Sequence, residues 1–207
     1  MKPNVVFWYE FASTYSYLSV MRIEEAANRA GVAIEWRPFL LGPIFKANGW
    51  TTSPFNLYPA KGRYMVRDIA RIAASRGLSF RMPATFPANG LKAARLAIAA
   101  QSFGATQVFT RAVFEAQFAS GEDISSDEVL TECLTAAGLD PAQMWAASSQ
   151  ESVKAALKRN TAEAQVLGIF GAPSFTTEDK ELFWGDDRLE PAIGWALNPS
   201  KRNSALF

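Results

Sequence analysis

Apolar residues recur with two different periods along the chain. Residues 5–11 are almost continuously β-branched or aromatic, which is typical of a strand buried on both faces. From Tyr15 the apolar period becomes helical, and Gly31 is a natural stop for that helix. Residues 32–37 then return to strand character before Pro38. The start of the chain therefore predicts a βαβ unit with parallel strands.

A long helical stretch follows this unit. Apolar residues stand three and four apart in five segments: 62–76, 91–103, 107–119, 126–137 and 141–160. Strand character returns at 174–177 and 181–184, before a last helix at 188–197. This order predicts an α/β fold, a thioredoxin-like four-stranded mixed sheet with a large all-helical insertion domain. The expected thioredoxin-like domain is discontinuous, comprising residues 1–42 and 161–207, and the insertion domain comprises residues 43–160.

Composition narrows the classes of partner. The 207 residues are 49% hydrophobic and carry a net charge of +1, which predicts a globular protein with little electrostatic attraction for nucleic acid. No apolar run approaches the roughly 18 to 20 residues needed to span a bilayer, and no signal peptide is recognised, so no membrane partner is expected. With one unpaired thiol, a cytoplasmic location is expected.

Two residue counts limit the chemistry further. The chain has one Cys, Cys133, and no His. These counts exclude an internal disulfide, a CxxC redox pair, a Ser-His-Asp triad and a His-ligated metal site, and we expect no metal. Cys133 falls inside a predicted apolar helix, where it is interpreted as a small hydrophobic residue. Catalysis must therefore use Ser, Tyr, Lys, a carboxylate or a borrowed group.

The candidate catalytic and binding residues lie in the segments that join a predicted strand to the following helix. Ser13 and Ser16 have the spacing of a CxxC motif with hydroxyls for thiols, at a helix N-terminus that favours an anion. The spacing alone favours the alternative, in which these serines only cap the helix. Asp186 and Asp187 precede the last helix, where helix capping and recognition of a ligand ammonium group both remain open.

The chain also resembles a known family. Five blocks resemble, in the same order, motifs of the 2-hydroxychromene-2-carboxylate isomerases and the kappa-class glutathione transferases, which have a DsbA-like thioredoxin fold. These blocks are residues 7–18, 37–46, 59–65, 168–175 and 183–189. The resemblance spans essentially the whole chain, and five ordered motifs are far more specific than any single one.

The resemblance implies roles for particular residues. Ser13 matches the catalytic serine, which donates a hydrogen bond to the sulfur of bound glutathione. The matched glutathione-binding residues are Lys61, Ala172 with its backbone before a cis Pro173, Asp186 and Asp187. Lys46 and Asn160 match polar residues that face the substrate.

The chain departs from the family pattern at three places. Thr14 stands where the family usually has Pro, and Asp186 where it usually has a smaller polar residue. Gly49-Trp50 replaces a common Gly-Asn whose Asn contacts glutathione, and the following loop is two residues longer. The donor site is therefore expected to differ in detail from that of the family.

The resemblance implies a glutathione-dependent isomerase with a small aromatic carboxylate substrate. It would interconvert 2-hydroxychromene-2-carboxylate and trans-o-hydroxybenzylidenepyruvate in naphthalene-type aromatic catabolism. Two alternatives stay open at this point: a kappa-like glutathione transferase or peroxidase that acts on other electrophiles, and a non-catalytic thioredoxin-fold module that binds extended peptides. The sequence also leaves open a homodimer.

Overall fold

A mixed four-stranded sheet lies at the centre of the computed structural model, which describes residues 2–50 and 53–198. Its strands are β1 (Asn4–Tyr9), β2 (Ala33–Pro38), β3 (Ser174–Thr177) and β4 (Leu182–Trp184). The strand order is β2-β1-β3-β4, in which β1 pairs parallel with β2 and antiparallel with β3. β4 pairs antiparallel with β3. The predicted thioredoxin-like mixed sheet is therefore confirmed.

Helices occupy most of the remaining described chain. They are α1 (Thr14–Val20), α2 (Ile23–Ala30), α3 (Leu41–Ala47), α4 (Pro54–Leu57), α5 (Pro59–Ser75), α6 (Leu91–Ala99), α7 (Thr106–Glu115), α8 (Asp127–Ala136), α9 (Pro141–Ser148), α10 (Glu151–Val166) and α11 (Leu189–Leu197). A 3-10 turn extends α6 through Phe103, and a π-helical turn extends α7 through Ser120. The sequence prediction of an all-helical stretch between the two halves of the sheet is confirmed.

Two predicted helices are each interrupted. The helix expected from Tyr15 to Gly31 breaks into α1 and α2 at Arg22, whose side chain reaches away to Asp186. The helix expected over residues 141–160 ends at Ser148, and a second helix continues to residue 166. At that break the hydroxyls of Ser148 and Ser149 both donate to the Trp145 carbonyl, and such local bonds compete with the helical ladder.

The strand β1 is buried on both faces, as its continuous apolar run predicts. Phe7 and Tyr9 face a large aromatic cluster that includes Phe114 of the helical stretch. Trp8 lies on the opposite face, where its indole N–H donates to Thr176 Oγ1 at 2.9 Å. Because packing holds β1 from both sides, the turn that follows it starts from a fixed position.

The division into two domains stays a prediction. Helix α10 runs without a break through the predicted boundary at residues 160 and 161, and one hydrophobic cluster joins the sheet to the helical stretch. Residues 199–207, the end of the predicted thioredoxin-like domain, lie outside the described range. Within the part of the chain that the structure describes, no helix is long and apolar enough to cross a membrane.

Candidate active site

The turn between β1 and α1 fixes Ser13. The Ser13 amide donates to the Glu10 carbonyl at 3.0 Å, which closes the turn directly after the strand. Ser13 is the N-cap of α1, and its Oγ accepts the Ser16 amide at 3.2 Å. Thr14 takes the first helical position that the family usually gives to Pro. The capping interpretation of Ser13 is therefore correct, whereas Ser16 supplies only its backbone amide to this cap.

A second segment brings a backbone carbonyl to the same serine. The Ser13 hydroxyl donates to the Ala172 carbonyl at 2.9 Å, joining two positions that are 159 residues apart in the chain. The Ala172-Pro173 peptide is cis. Ser13 is only half-buried, so its hydroxyl lies at a surface that a ligand can reach.

These groups open onto one large cavity of about 1180 Å³. The predicted residues that line it are Ser13, Lys46, Lys61, Ala172, Asp186 and Asp187. They come from the N-cap of α1, from α3 and α5, and from the segments before β3 and after β4. Pro173 follows Ala172 but is buried beneath the wall. Folding therefore gathers six of the eight predicted residues around one cavity.

Asn160 is not among them. It lies half-buried on α10, and its side-chain amide donates to the Pro38 carbonyl at 3.0 Å. It lines a separate cavity of about 300 Å³ together with Arg37 and Glu163. The structure does not bring Asn160 together with Ser13, so the predicted contact with the substrate gains no support from the geometry.

Asp186 lines the cavity but its carboxylate is already engaged. The side chain is 5% exposed, and its oxygens accept bonds from Ser19 Oγ at 2.9 Å, Arg22 Nε at 3.0 Å and Arg76 Nη2 at 2.6 Å. Arg22 also pairs with Glu190. A buried carboxylate held by two guanidiniums has a structural role. This arrangement therefore disfavours direct contact between Asp186 and a ligand ammonium group.

Arg76 is the residue that this arrangement presents to the cavity. Its side chain is 31% exposed, the residue lines the cavity beside Asp186, and the Asp186 carboxylate holds its guanidinium in place. Sequence reasoning missed Arg76, because a basic residue at the end of a surface helix is an ordinary pattern. The sequence did contain one signal: position 186 is an Asp where the family usually has a smaller polar residue, and a buried carboxylate needs a cationic partner.

Asp187 differs from its neighbour in exposure. Its side chain is 72% exposed, and its Oδ2 pairs with the adjacent Arg188 at 2.7 Å. It stands two residues after Gly185, whose φ of 109° turns the chain sharply after β4. Asp187 is thus the carboxylate at this end of the cavity that a ligand cation can reach.

The opposite wall carries the two predicted lysines. Lys46 is exposed on α3, and the Lys61 ammonium on α5 lies 5.8 Å from the centre of the Phe55 ring. Trp50, which stands where the family has Asn, packs against Phe45 with ring centres 5.6 Å apart and also lines the cavity. Thr51 and Thr52, in the loop predicted to be longer than usual, lie outside the described residues.

Two further ionisable side chains, those of Tyr15 and Glu10, belong to residues that line the cavity. Tyr15 donates its hydroxyl to Asp68 at 3.0 Å, and burial together with this bond raises the pKa of Tyr15 above its ordinary value. Glu10 is almost fully buried, and burial raises the pKa of its carboxyl to about 8, although a bond from the Ala12 amide opposes the shift. A Glu that interrupts an otherwise apolar strand run was a signal available in the sequence.

The described residues offer neither a metal site nor a reactive thiol. No group of three or more acidic or thiol side chains there is arranged to hold a metal ion. Cys133 is buried in α8, and burial raises the pKa of its thiol to about 12, so this thiol stays protonated and inert at neutral pH.

Known proteins share this architecture along the whole chain. The family model for the DSBA-like thioredoxin domain matches residues 4–192. A solved structure of a 2-hydroxychromene-2-carboxylate isomerase superposes with a TM-score of 0.84 at 22% identity, covering 98% of this chain and 100% of that one. This likeness is one of fold.

Proteins of similar sequence show to which group within this family the chain belongs. A protein named 2-hydroxychromene-2-carboxylate isomerase from Pseudomonas putida is 30% identical, over 92% of this chain and 94% of its own. The glutathione S-transferase kappa 1 of Caenorhabditis elegans is 27% identical, over 99% of this chain and 96% of its own. These relatives are enzymes, and they support an isomerase-like or glutathione transferase-like activity. The chain therefore belongs to the DSBA-like thioredoxin family, in the group of the 2-hydroxychromene-2-carboxylate isomerases and kappa-class glutathione transferases.

Proposed function

We propose that the chain is a glutathione-dependent isomerase that interconverts 2-hydroxychromene-2-carboxylate and trans-o-hydroxybenzylidenepyruvate, a cytoplasmic step of aromatic catabolism. The observation that carries the proposal is the position of the Ser13 hydroxyl. It lies at a helix N-terminus, opposite the Ala172 carbonyl, on the wall of a cavity lined by both lysines and carboxylates. The relatives named above support this choice over other uses of the fold.

The wall has charges that suit glutathione. At neutral pH that tripeptide has one thiol, one ammonium group and two carboxylates. Lys61 and Arg76 supply cations for carboxylates, and Asp187 supplies an exposed anion for the ammonium group. A volume of about 1180 Å³ exceeds the roughly 300–1,000 Å³ typical of one small ligand, so a second, aromatic molecule has room beside the first.

Ser13 acts on the ionisation of the thiol. An ordinary thiol, with a pKa of about 8.5, is only a few per cent ionised at neutral pH. A hydroxyl bond and the amides at the start of α1 favour the thiolate, and each unit of lowered pKa corresponds to about 1.4 kcal/mol. To donate to sulfur, the Ser13 hydroxyl must leave the Ala172 carbonyl, and the exchange is favourable because bonds to charged acceptors are about twice as strong as neutral ones.

Bound glutathione would supply a thiolate nucleophile, whose reversible addition removes the double-bond character that prevents rotation in the substrate. Lys46, exposed on the wall, is proposed to hold the substrate carboxylate. Phe45 and Trp50 provide apolar surface for its aromatic ring. The residues of this chain therefore bind and orient the reactants and set the ionisation of the thiol.

Isothermal titration with glutathione, followed by an assay of chromene isomerisation, tests this function. Binding with release of a proton and turnover of 2-hydroxychromene-2-carboxylate is the expected result. Conjugation of an electrophilic halo-aromatic without isomerisation would replace the proposal with a kappa-like transferase. Absence of glutathione binding would reject both and favour a peptide-binding module.

Asp187 provides a more local prediction. Asp187→Ala should raise the Kd and the KM for glutathione about tenfold while lowering kcat less than threefold, because it removes a binding contact remote from the sulfur. Steady-state kinetics at varied glutathione concentration measure both parameters. Asp127→Ala, which removes an exposed carboxylate paired with Lys92, is the matched control. A fall in kcat with unchanged KM would contradict ammonium recognition by Asp187.

A further inference from the structure

Glu10 is the buried carboxyl closest in the chain to the proposed catalytic serine. Its side chain lines the same cavity as Ser13, although the residue is only 9% exposed. Its backbone carbonyl accepts the Ser13 amide at 3.0 Å, and its Oε2 accepts the Ala12 amide at 3.0 Å. Both ends of Glu10 are therefore fixed to the turn that presents Ser13.

The bond from Ala12 also determines which oxygen can carry a proton. Because Oε2 is an acceptor from a backbone amide, a proton on the carboxyl resides on Oε1. A Cβ at Gly90 would lie only 3.1 Å from Oε1, so the glycine at the start of α6 leaves the room that this oxygen occupies. Oε1 is thus an O–H donor at the wall of the cavity whenever Glu10 is protonated.

The surroundings favour that protonated form at neutral pH. Burial is the larger cause of the raised pKa, about 8, and the Ala12 amide opposes it. Lys92, on the adjacent α6, is paired with Asp127. The other titratable side chains on the cavity wall are Tyr15, Lys46, Lys61, Tyr64, Asp68, Arg76, Asp186 and Asp187. Two of them are engaged with each other, Arg76 with Asp186, and Asp68 accepts the Tyr15 hydroxyl.

We propose that Glu10 is the proton-transfer residue of the isomerisation, an inference that rests on the proposed function. In the ring-opening direction the bond between C2 and the ring oxygen breaks, and its electron pair goes to that oxygen. Glu10 Oε1 gives its proton to this oxygen, which becomes the phenol. The C2 hydroxyl then gives its proton to the Glu10 carboxylate as the C2 carbonyl forms. The carboxyl is regenerated, and no other reactant is consumed.

The chemistry of the wall supports this assignment. Ring opening needs an acid for the leaving oxygen and a base for the C2 hydroxyl, and an effective general acid has a pKa near the working pH. The chain has no His to fill that role. Tyr15 holds its proton more tightly than an ordinary tyrosine, whereas Glu10 can both give and take a proton near neutral pH.

The test is Glu10→Gln, which keeps the shape and an acceptor oxygen for Ala12 but cannot exchange a proton. We expect kcat for isomerisation to fall about a hundredfold, with the Kd for glutathione changed less than threefold. In the wild type kcat/KM should fall as pH rises through about 8, and Glu10→Gln should lose this limb. Glu10→Asp, which retains a titratable group, should recover part of the rate and the limb.

A second measurement needs neither ligand nor substrate. Folded Glu10 keeps its proton up to a pH of about 8, whereas the unfolded chain loses it near 4.5, so between these values the native state binds more protons. The melting temperature of the wild type should then fall as pH rises through this window, and Glu10→Gln should remove that contribution. An unchanged slope in Glu10→Gln would mean that Glu10 is ionised at neutral pH, which overturns the inference.

The two proposals fail in different ways. A wild type that isomerises the chromene, with a Glu10→Gln variant of equal rate and equal pH profile, would overturn the role of Glu10 alone. A wild type that binds glutathione without isomerising the chromene would overturn the proposed function and the proton transfer with it.

Discussion

Replacing Ser13 by Ala is expected to lower the isomerisation rate by about a hundredfold or more. The variant removes the hydroxyl at the start of α1 that we propose donates to the glutathione sulfur, and loss of one such preorganised donor costs roughly 10²–10³ in rate in other enzymes. The pKa of bound glutathione should rise in the same variant. The thiolate's ultraviolet absorbance, followed against pH, measures that shift.

Ser13→Ala also removes a helix cap, which must be separated from the chemical effect. Loss of an N-cap hydroxyl costs about 1 kcal/mol, so the melting temperature should fall by roughly 2–4 °C. Ser126→Ala is the matched control, because Ser126 caps α8 by accepting the Glu128 amide at 3.2 Å. We expect it to lose similar stability with full activity. A Ser13→Ala variant as active as Ser126→Ala would contradict the catalytic role.

Asp186→Ala is expected to have the largest effect on stability. The buried carboxylate holds two guanidiniums, and removing one partner of a buried ion pair costs about 3–5 kcal/mol because the remaining charges lose their compensation. Arg22 and Arg76 stay partly exposed, so we expect the lower end, about 3 kcal/mol, or roughly 6–12 °C in melting temperature. Thermal or urea unfolding measures the loss.

The control for this prediction is an exposed ion pair between an aspartate and a lysine. Asp127→Ala breaks the exposed pair with Lys92 and should cost less than about 1 kcal/mol. Glutathione affinity should fall in Asp186→Ala, since Arg76 is no longer held at the cavity wall, and stay constant in Asp127→Ala. Equal losses of stability in the two variants would contradict a structural role for Asp186.

The sheet and the serine could be predicted because their signals are local. Each strand run, the change of period after β1 and the Ser13-to-Ser16 spacing is a pattern that spans only a few consecutive residues. The hydrogen-bond network around Asp186 could not be predicted from the sequence, because Arg22 and Arg76 lie 164 and 110 residues away from it along the chain. No periodicity encodes such a contact, and it depends on how α5 packs against the segment after β4.

Asn160 illustrates the complementary difficulty. Its match to the family motif rests on order along the chain, but the packing of α10 directs its amide to the Pro38 carbonyl and a separate cavity. Glu10 is recognisable in the sequence as an acidic residue in an apolar run. Only the structure shows that it is buried at the cavity wall that also includes Ser13. A local pattern can identify a residue of interest before tertiary packing reveals its surroundings.

The two hydroxyls at the CxxC positions, together with the inert Cys133, bear on how the protein meets oxidative stress. With the proposed glutathione nucleophile, the reactive sulfur belongs to a molecule that enters and leaves the cavity, so peroxide would consume a replaceable ligand and spare the one thiol of the chain. Activity would then follow the reduced fraction of the cellular glutathione pool and recover as soon as that pool is restored, without repair of the protein.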